Sequence, residues 1–334
     1  MGEPLLELRH LAVHYVSARG SRVVRAVDDV SLRLGAGETL GVVGESGSGK
    51  TTLALSILRL LPPAARVVGG AVTLEGEDLL AKSDAEMRAV RGKRIAMILQ
   101  DPMASLNPLL TIGDQVGEPL RVHENASRRS AWSRAGDLLR AVRIPAPAAR
   151  LYEYPHQMSG GMRQRIVGAM AISCRPRLLI ADEPTTSLDV TIQSQYLTLL
   201  RELQVAHGLA LIFITHNLGI VARMCDRIAV MYAGRIVEAG AVRTIFNAPA
   251  HPYTRALLES IPRIQDGAGP GARRLTAIEG QPPDLADPPA GCAFHPRCAH
   301  AMARCRAESP PVLPVGEGQA ARCWLVAEGT PTSA

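Results

Sequence analysis

Aromatic residues are scarce: two Trp, six Tyr and three Phe make up 3% of 334 residues. The core must therefore be aliphatic, and a hydrophobic content of 47% allows a sizeable one. Long apolar runs are missing as well. None approaches the ~20 residues that span a bilayer as a helix, and the longest, residues 209–214, has strand length. The start, Met-Gly-Glu-Pro, has no basic segment followed by an apolar one, so a signal peptide is not expected. Any membrane contact is expected to come through partners. The net charge of +6 would draw acidic partners, anionic lipid surfaces included. No basic stripe interleaved with aromatics and no nucleic-acid module is present, so a nucleic-acid partner is not expected. Lysine is the scarcest charged residue. Of 37 basic residues only Lys50, Lys82 and Lys93 are lysine, a bias with the look of genome-wide base composition. Against that background Lys50 stands out. It ends a glycine-rich loop, where a compact ammonium and a planar guanidinium are not equivalent.

What is present reads as alternating strands and helices. Residues 5–16 alternate apolar and polar and predict an edge strand. Further strands are expected at 27–34, 39–43, 71–74, 94–99, 178–181, 209–215, 227–232 and 235–239. Helical periodicity is read at 51–60, 131–142, 161–173, 191–206 and 251–260. Strands alternating with helices argue for a parallel α/β core. Between about 102 and 175 helical Arg- and Ala-rich segments dominate, which predicts a helical insertion. After about residue 240 the composition shifts. A linker is expected at 265–274, and from Gln281 the chain is rich in Pro and Cys.

The loop Gly44-Glu45-Ser46-Gly47-Ser48-Gly49-Lys50-Thr51 fits G-x-x-x-x-G-K-[ST], after a strand and before a helix. Glycines let backbone N–H groups wrap phosphates, and the helix N-terminus adds partial positive charge. Gly44, Ser46, Gly47, Gly49, Lys50, Thr51 and Thr52 are the expected phosphate contacts. Lys50 is expected on the β- and γ-phosphates and the Thr51 hydroxyl on Mg2+. Far downstream, the apolar run 178–181 ends in Asp182 and Glu183. Asp182 is the expected Mg2+ partner. Glu183, which would point the other way in a continuing strand, is the expected general base.

Met158-Ser159-Gly160-Gly161-Met162-Arg163-Gln164-Arg165 precedes that acidic strand. It resembles the signature motif of ABC-type ATPases, and the rest of the order agrees: Tyr15, residues 44–51, Gln100, residues 158–162, Asp182-Glu183, Ser187-Leu188-Asp189 and His216. The resemblance covers residues 1–240. It implies an α/β, P-loop ABC-type nucleotide-binding domain with a helical subdomain at about 102–175. It implies Tyr15 stacked on adenine, Gln100 sensing Mg2+ and relaying its state to the transport partner, and His216 and Lys50 with Glu183 as the catalytic set. Ser159, Gly160 and Gly161 would close on ATP held by a second ATPase subunit, with Asp189 in the adjoining loop. One position departs from the family: Met162 stands where glutamine is usual and cannot make the polar contact glutamine offers.

Several segments are similar to the ATPases of oligopeptide and dipeptide importers: 44–50, Gln100-Asp101-Pro102-Met103 through Asn107-Pro108, 182–189, His251-Pro252-Tyr253-Thr254, and Gly280-Gln281-Pro282-Pro283 before Gly291-Cys292. The similarity implies an ATP-hydrolysing importer subunit at the cytoplasmic face of the membrane. It also implies a second, different ATPase subunit, two transmembrane permease subunits and an extracytoplasmic substrate-binding protein. An importer of nickel chelates, glutathione or antimicrobial peptides is the alternative, and a non-transport ABC protein a more distant one. Residues 241–334 are expected to form a small C-terminal extension with a four-cysteine module at about 280–325. Its thiols, Cys292, Cys298, Cys305 and Cys323, are separated by 5, 6 and 17 residues. Those spacings match neither the paired cysteines of common zinc sites nor bacterial ferredoxin spacing, so spacing leaves the metal open. Relatives with this tail imply a [4Fe–4S] cluster, with zinc as the alternative.

Overall fold

The short aliphatic strands are the frame. The computed structural model describes residues 3–17, 20, 22–101, 105–186, 188–261 and 278–328. They fall into two compact units. The first runs to Leu6 and takes in Leu34–Thr39 and Thr73–Ile214; the second comprises Glu7–Arg33, Leu40–Val72 and the chain from Thr215 onward.

In the first unit Ile95–Ile98, Leu178–Asp182 and Ala210–Thr215 pair in parallel, with Ile95 opposite Leu178 and Leu178 opposite Ala210. Leu178–Asp182 and Ala210–Thr215 are buried at every position. That is why they read as unbroken apolar runs: a parallel strand is covered on both faces. The crossover between them is the helix Val190–His207, capped by the Asp189 side chain and ended by Gly208 in the left-handed conformation. The helical insertion contains Ile112–Glu124, Arg128–Ala141, Pro147–Arg150 and Gly160–Ile172. Ile112–Glu124 is not foreseen, because Gly113, Gly117 and Pro119 interrupt its pattern. The glycines serve contact: a Cβ on Gly113 would stand 2.8 Å from the Trp132 ring, and one on Gly117 3.4 Å from Ala131.

In the second unit Leu6–Val16 lies between Val23–Leu34 and Ala65–Leu74. It is therefore a central strand and not the edge strand its alternation suggests. Alternation reports that one face is wet, not that an edge is free. The buried set Leu6, Leu8, Leu11, Val13 skips a beat at His10, whose φ of 49° marks an irregularity in the strand. Ala65–Leu74 is longer than expected because the part before Ala71 ends in Gly69-Gly70 and is mostly exposed. Thr39–Val43 runs parallel to Arg227–Tyr232. That strand turns back through Ala233-Gly234, both at positive φ, into Arg235–Ala241. Two tail strands extend the same sheet: Gln319–Ala321 pairs with Arg235–Ala241 and Leu313–Gly316 with Gln319–Ala321. These short strands carry no alternating signal of their own.

Three of the aromatics form one cluster here. Tyr232, Tyr253 and Phe294 pack mutually at ring-centroid distances of 4.5, 5.3 and 5.4 Å. They sit in a cluster with Val43, Val230, Val237 and Ile245, so the tail shares the core of its unit. Among the described residues no helix is long and apolar enough to cross a membrane. The expected linker at 265–274 lies outside the described residues.

Candidate functional site

The phosphate loop is built by backbone geometry. Thr39–Val43 is buried throughout and delivers the chain to Gly44. Gly44, Gly47 and Gly49 have φ of 156°, 78° and 102°. A Cβ on Gly44 would stand 2.1 Å from the Met231 carbonyl oxygen, and one on Gly49 2.1 Å from that of Ala26. Both positions thus exclude any side chain, by conformation and by space. The helix Lys50–Ile57 starts directly after. The buried Lys50 folds over the loop, and its ammonium donates to the carbonyls of Gly44 at 2.8 Å and Glu45 at 2.9 Å. Ser46, Gly47 and Thr51 face solvent. The loop therefore presents backbone N–H groups, an ammonium and a threonine hydroxyl near one helix N-terminus, an arrangement suited to a polyanion with its cation. Tyr15 lies beside this helix, its hydroxyl 3.2 Å from the Thr52 hydroxyl.

In the other unit the acidic strand ends at Asp182, which is 2% exposed. The strand does not continue into Glu183. Glu183 takes φ 45°, rare for a residue with a side chain, and its N–H donates to the Ile214 carbonyl at 2.9 Å. This turn, not strand alternation, sets the placement of the Glu183 side chain. The Glu183 carboxylate accepts from the Gln100 amide at 3.2 Å and the Thr186 hydroxyl at 3.0 Å.

The same unit carries the signature segment. Ser159 caps the helix Gly160–Ile172 and accepts from the Met162 N–H at 3.3 Å. Asp189 caps Val190–His207 and accepts from the N–H groups of Thr191 at 3.1 Å and Ile192 at 3.0 Å. Both helix starts open into one cleft of about 500 Å³, lined by Arg143, Pro145, Ser159, Gly160, Gly161, Met162, Arg165, Leu188, Asp189 and Ile192. The two glycines differ in purpose. A Cβ on Gly161 would come within 2.8 Å of Ile192 Cγ2, whereas one on Gly160 meets nothing within 4 Å. Gly161 lets two helices approach; Gly160 leaves the cleft open. Arg143 stands outside every motif, and Arg165 closes the signature segment without a role assigned to it; folding brings both to this cleft. His216 is exposed directly after Ala210–Thr215. Ser187 lies outside the described residues.

In the tail, Cys292, Cys298, Cys305 and Cys323 line one pocket with His251, Phe294, His295, His300 and Trp324. Burial pushes the thiols of Cys292 and Cys298 up, and that of Cys323 to about 11. His251 is buried and held neutral, its pKa lowered to about 3 by desolvation. Its Nδ1 accepts from the Tyr253 N–H at 3.0 Å. Among the described residues no group of three or more His, Cys, Asp or Glu is arranged to hold a metal ion, so the expected cluster finds no support there.

One contact to the phosphate loop has no signature in the sequence. Arg297, 252 residues away, grips the carboxylate of Glu45. Only folding brings the two together.

Residues 27–186 match the family described as ABC transporter, and residues 237–305 match the oligopeptide/dipeptide transporter, C-terminal region. A probable peptide ABC transporter ATP-binding protein of Sinorhizobium fredii is 50% identical over 96% of this chain and 94% of its own length. The oligopeptide transport ATP-binding protein OppD of Bacillus subtilis is 48% identical over 98% of this chain and 90% of its own. The dimeric structure of the ATP-binding cassette MJ0796, in a post-hydrolysis state with ADP and Pi, superposes with a TM-score of 0.64 at 26% identity. It covers 71% of this chain and 99% of the cassette. By fold and by near-full-length similarity, this chain belongs to the ATP-binding subunits of oligopeptide and dipeptide ABC transporters.

Proposed function

We propose that this chain is the ATP-hydrolysing subunit of a membrane importer for oligopeptides or dipeptides. The observation that carries the reading is the phosphate loop closed around Lys50, in a chain whose relatives are named for peptide transport over nearly their whole length. In this reading residues 1–240 are the cassette, with its helical insertion at about 102–175, and residues 241–334 the importer-type extension.

Roles follow from chemistry. Lys50 and the backbone N–H groups of 44–51 hold the phosphates, with Ser46, Gly47 and Thr52 beside them. Thr51, Asp182 and Gln100 serve Mg2+. Glu183 takes the proton of the attacking water, and His216 steadies the charge that develops on the γ-phosphate. Tyr15 supports adenine. Ser159, Gly160 and Gly161, at a helix N-terminus opening into one cleft, receive the nucleotide of a second ATPase subunit, with Asp189 beside them. A different partner chain is the reading for that second subunit, beneath two permease subunits on the cytoplasmic face, with an extracytoplasmic binding protein delivering substrate.

The finer reading of the tail is a metal centre on Cys292, Cys298, Cys305 and Cys323. What supports it is the chemistry of four thiols lining one pocket, soft ligands for [4Fe–4S] first and zinc second, although the four are not set as a ligand group in this structure. Bound as thiolates, these residues would hold such a centre as a structural element of the extension.

The test is reconstitution with the permease pair and binding protein in vesicles. ATP-dependent uptake of labelled dipeptide or oligopeptide is expected, lost with Lys50→Ala. Hydrolysis that drives no peptide uptake but drives another solute would transfer the chain to a different importer class.

A further inference from the structure

Arg297 ends the short turn His295–Arg297, between Cys292 and Cys298. Its side chain is 5% exposed, a rare degree of burial for arginine. Nη1 meets Glu45 Oε2 at 2.7 Å and Nη2 meets Oε1 at 3.0 Å, a two-pronged ion pair. Nε donates to the Glu279 carbonyl at 2.9 Å and Nη2 to that of Ile278 at 3.3 Å, while Nη1 reaches the Tyr232 hydroxyl at 3.4 Å. Five contacts match the five N–H donors of a guanidinium. Lysine could not reproduce them.

The residue so gripped is the second of the phosphate loop. Its three polar groups all have partners in the same unit. The Glu45 carboxylate takes Arg297, its N–H donates to the Tyr253 hydroxyl at 3.0 Å, and its carbonyl accepts from Lys50 at 2.9 Å. A carboxylate in an anion-binding loop opposes its task unless neutralised. The neutralising group stands next to Cys298 in sequence, and the backbone there is tight: the His295 N–H donates to the Cys292 carbonyl at 2.9 Å and the Cys298 N–H to that of His295 at 3.3 Å. A change at the thiol pocket therefore acts on the same turn that carries Arg297.

We propose that Arg297 is a positioning residue for nucleotide binding: it neutralises and fixes Glu45, and through it the state of the four-thiol pocket sets the affinity of the phosphate loop. The proposal rests on the reading of 44–51 as an ATP-binding loop. It holds whether the pocket carries metal or free thiols.

The test is binding of a fluorescent ATP analogue with Mg2+ to the purified full chain, followed as Kd, with thermal unfolding recorded for every variant. Arg297→Gln is expected to weaken binding at least about fivefold, the lower end of ordinary coupling between sites. In a Glu45→Gln background the same substitution is expected to change Kd by less than about twofold, because a coupled pair is not additive. Arg297→Lys, which keeps the charge, is expected to fall between; it carries the test if Arg297→Gln does not fold. Cys298→Ala is expected to weaken binding in the wild-type chain and not in the Glu45→Gln chain. Unchanged Kd in the Arg297 variants, or equal weakening in both backgrounds, overturns the proposal; an equal Cys298→Ala effect in both overturns the link to the pocket. Lys50→Ala separates the premise: if it leaves binding intact, the reading of the loop has failed and not the clamp.

Discussion

The Gln100 side-chain amide donates to the Glu183 carboxylate at 3.2 Å. The resemblance assigns Gln100 to Mg2+ and Glu183 to water, as separate tasks. The structure joins them in one hydrogen bond, with the Thr186 hydroxyl as a second donor to the same oxygen. Glu183 reaches this position through a left-handed backbone at φ 45°. Strained backbone of this kind costs on the order of 1–3 kcal/mol and persists where the surroundings enforce it. In the roles proposed above, the residue that reports to the transport partner bears directly on the general base.

Glu183→Gln keeps the shape and the hydrogen-bonding capacity while removing the base. ATP binding is expected to survive, and turnover in the assembled complex to drop by about 100-fold or more, the usual contribution of general base catalysis. A closed dimer with the partner ATPase should accumulate, visible by size-exclusion chromatography in ATP. Full turnover by this variant would remove Glu183 from the base role.

Gly160 and Gly161 should separate folding from function. Gly161→Ala places a methyl 2.8 Å from Ile192 Cγ2, an overpacking worth about 1–3 kcal/mol. Its melting temperature should fall, and Ile192→Ala in the same chain should restore it. Gly160→Ala meets open space and should leave melting unchanged, yet lower ATP turnover in the complex by narrowing the signature cleft. Equal melting for both variants would contradict the packing argument.

The cassette was legible because its chemistry is local. Gly44, Gly49, Lys50 and Thr51 stand in one eight-residue pattern even though the carbonyls that exclude side chains at the two glycines, of Met231 and Ala26, come from elsewhere in the chain, and Asp182 closes a strand whose apolar run is unmistakable. What stayed hidden depends on distant partners. The edge or centre position of Leu6–Val16 is decided by which strands flank it, and the helix Ile112–Glu124 hides behind glycines that exist to fit Trp132 and Ala131. Arg297 is one of many arginines in the chain until folding sets it against Glu45. The thiol pocket is intermediate: the cysteines are conspicuous, but their spacing names no metal.

Metal analysis of the chain purified without oxygen decides that last point. About four irons and four sulfides per chain, with a broad visible band bleached by reductant, are the expected result for a cluster held by four cysteines. Cys305→Ala should lower iron below one cluster per chain. Zinc in place of iron would keep the thiol site and change its occupant, whereas metal-free protein with full ATPase activity in the complex would leave the pocket as an apolar thiol cluster.

The signature cleft makes a prediction about concentration. Ser159 and Gly160 lie in one compact unit and the phosphate loop in the other, and in the reading proposed above the cleft takes a partner's nucleotide. An isolated chain should therefore bind ATP through Lys50 and hydrolyse it slowly. Specific activity should rise steeply with concentration if the chain can pair with itself, or appear only when the second ATPase subunit is added. Ser159→Arg should then abolish the activity that depends on the partner while leaving ATP affinity of the isolated chain within about twofold, since surface changes away from a site rarely exceed ~0.5 kcal/mol. Vigorous hydrolysis with the same specific activity at nanomolar and micromolar chain would mean that one chain completes its own site, and the role given to Ser159, Gly160 and Gly161 would have to be withdrawn.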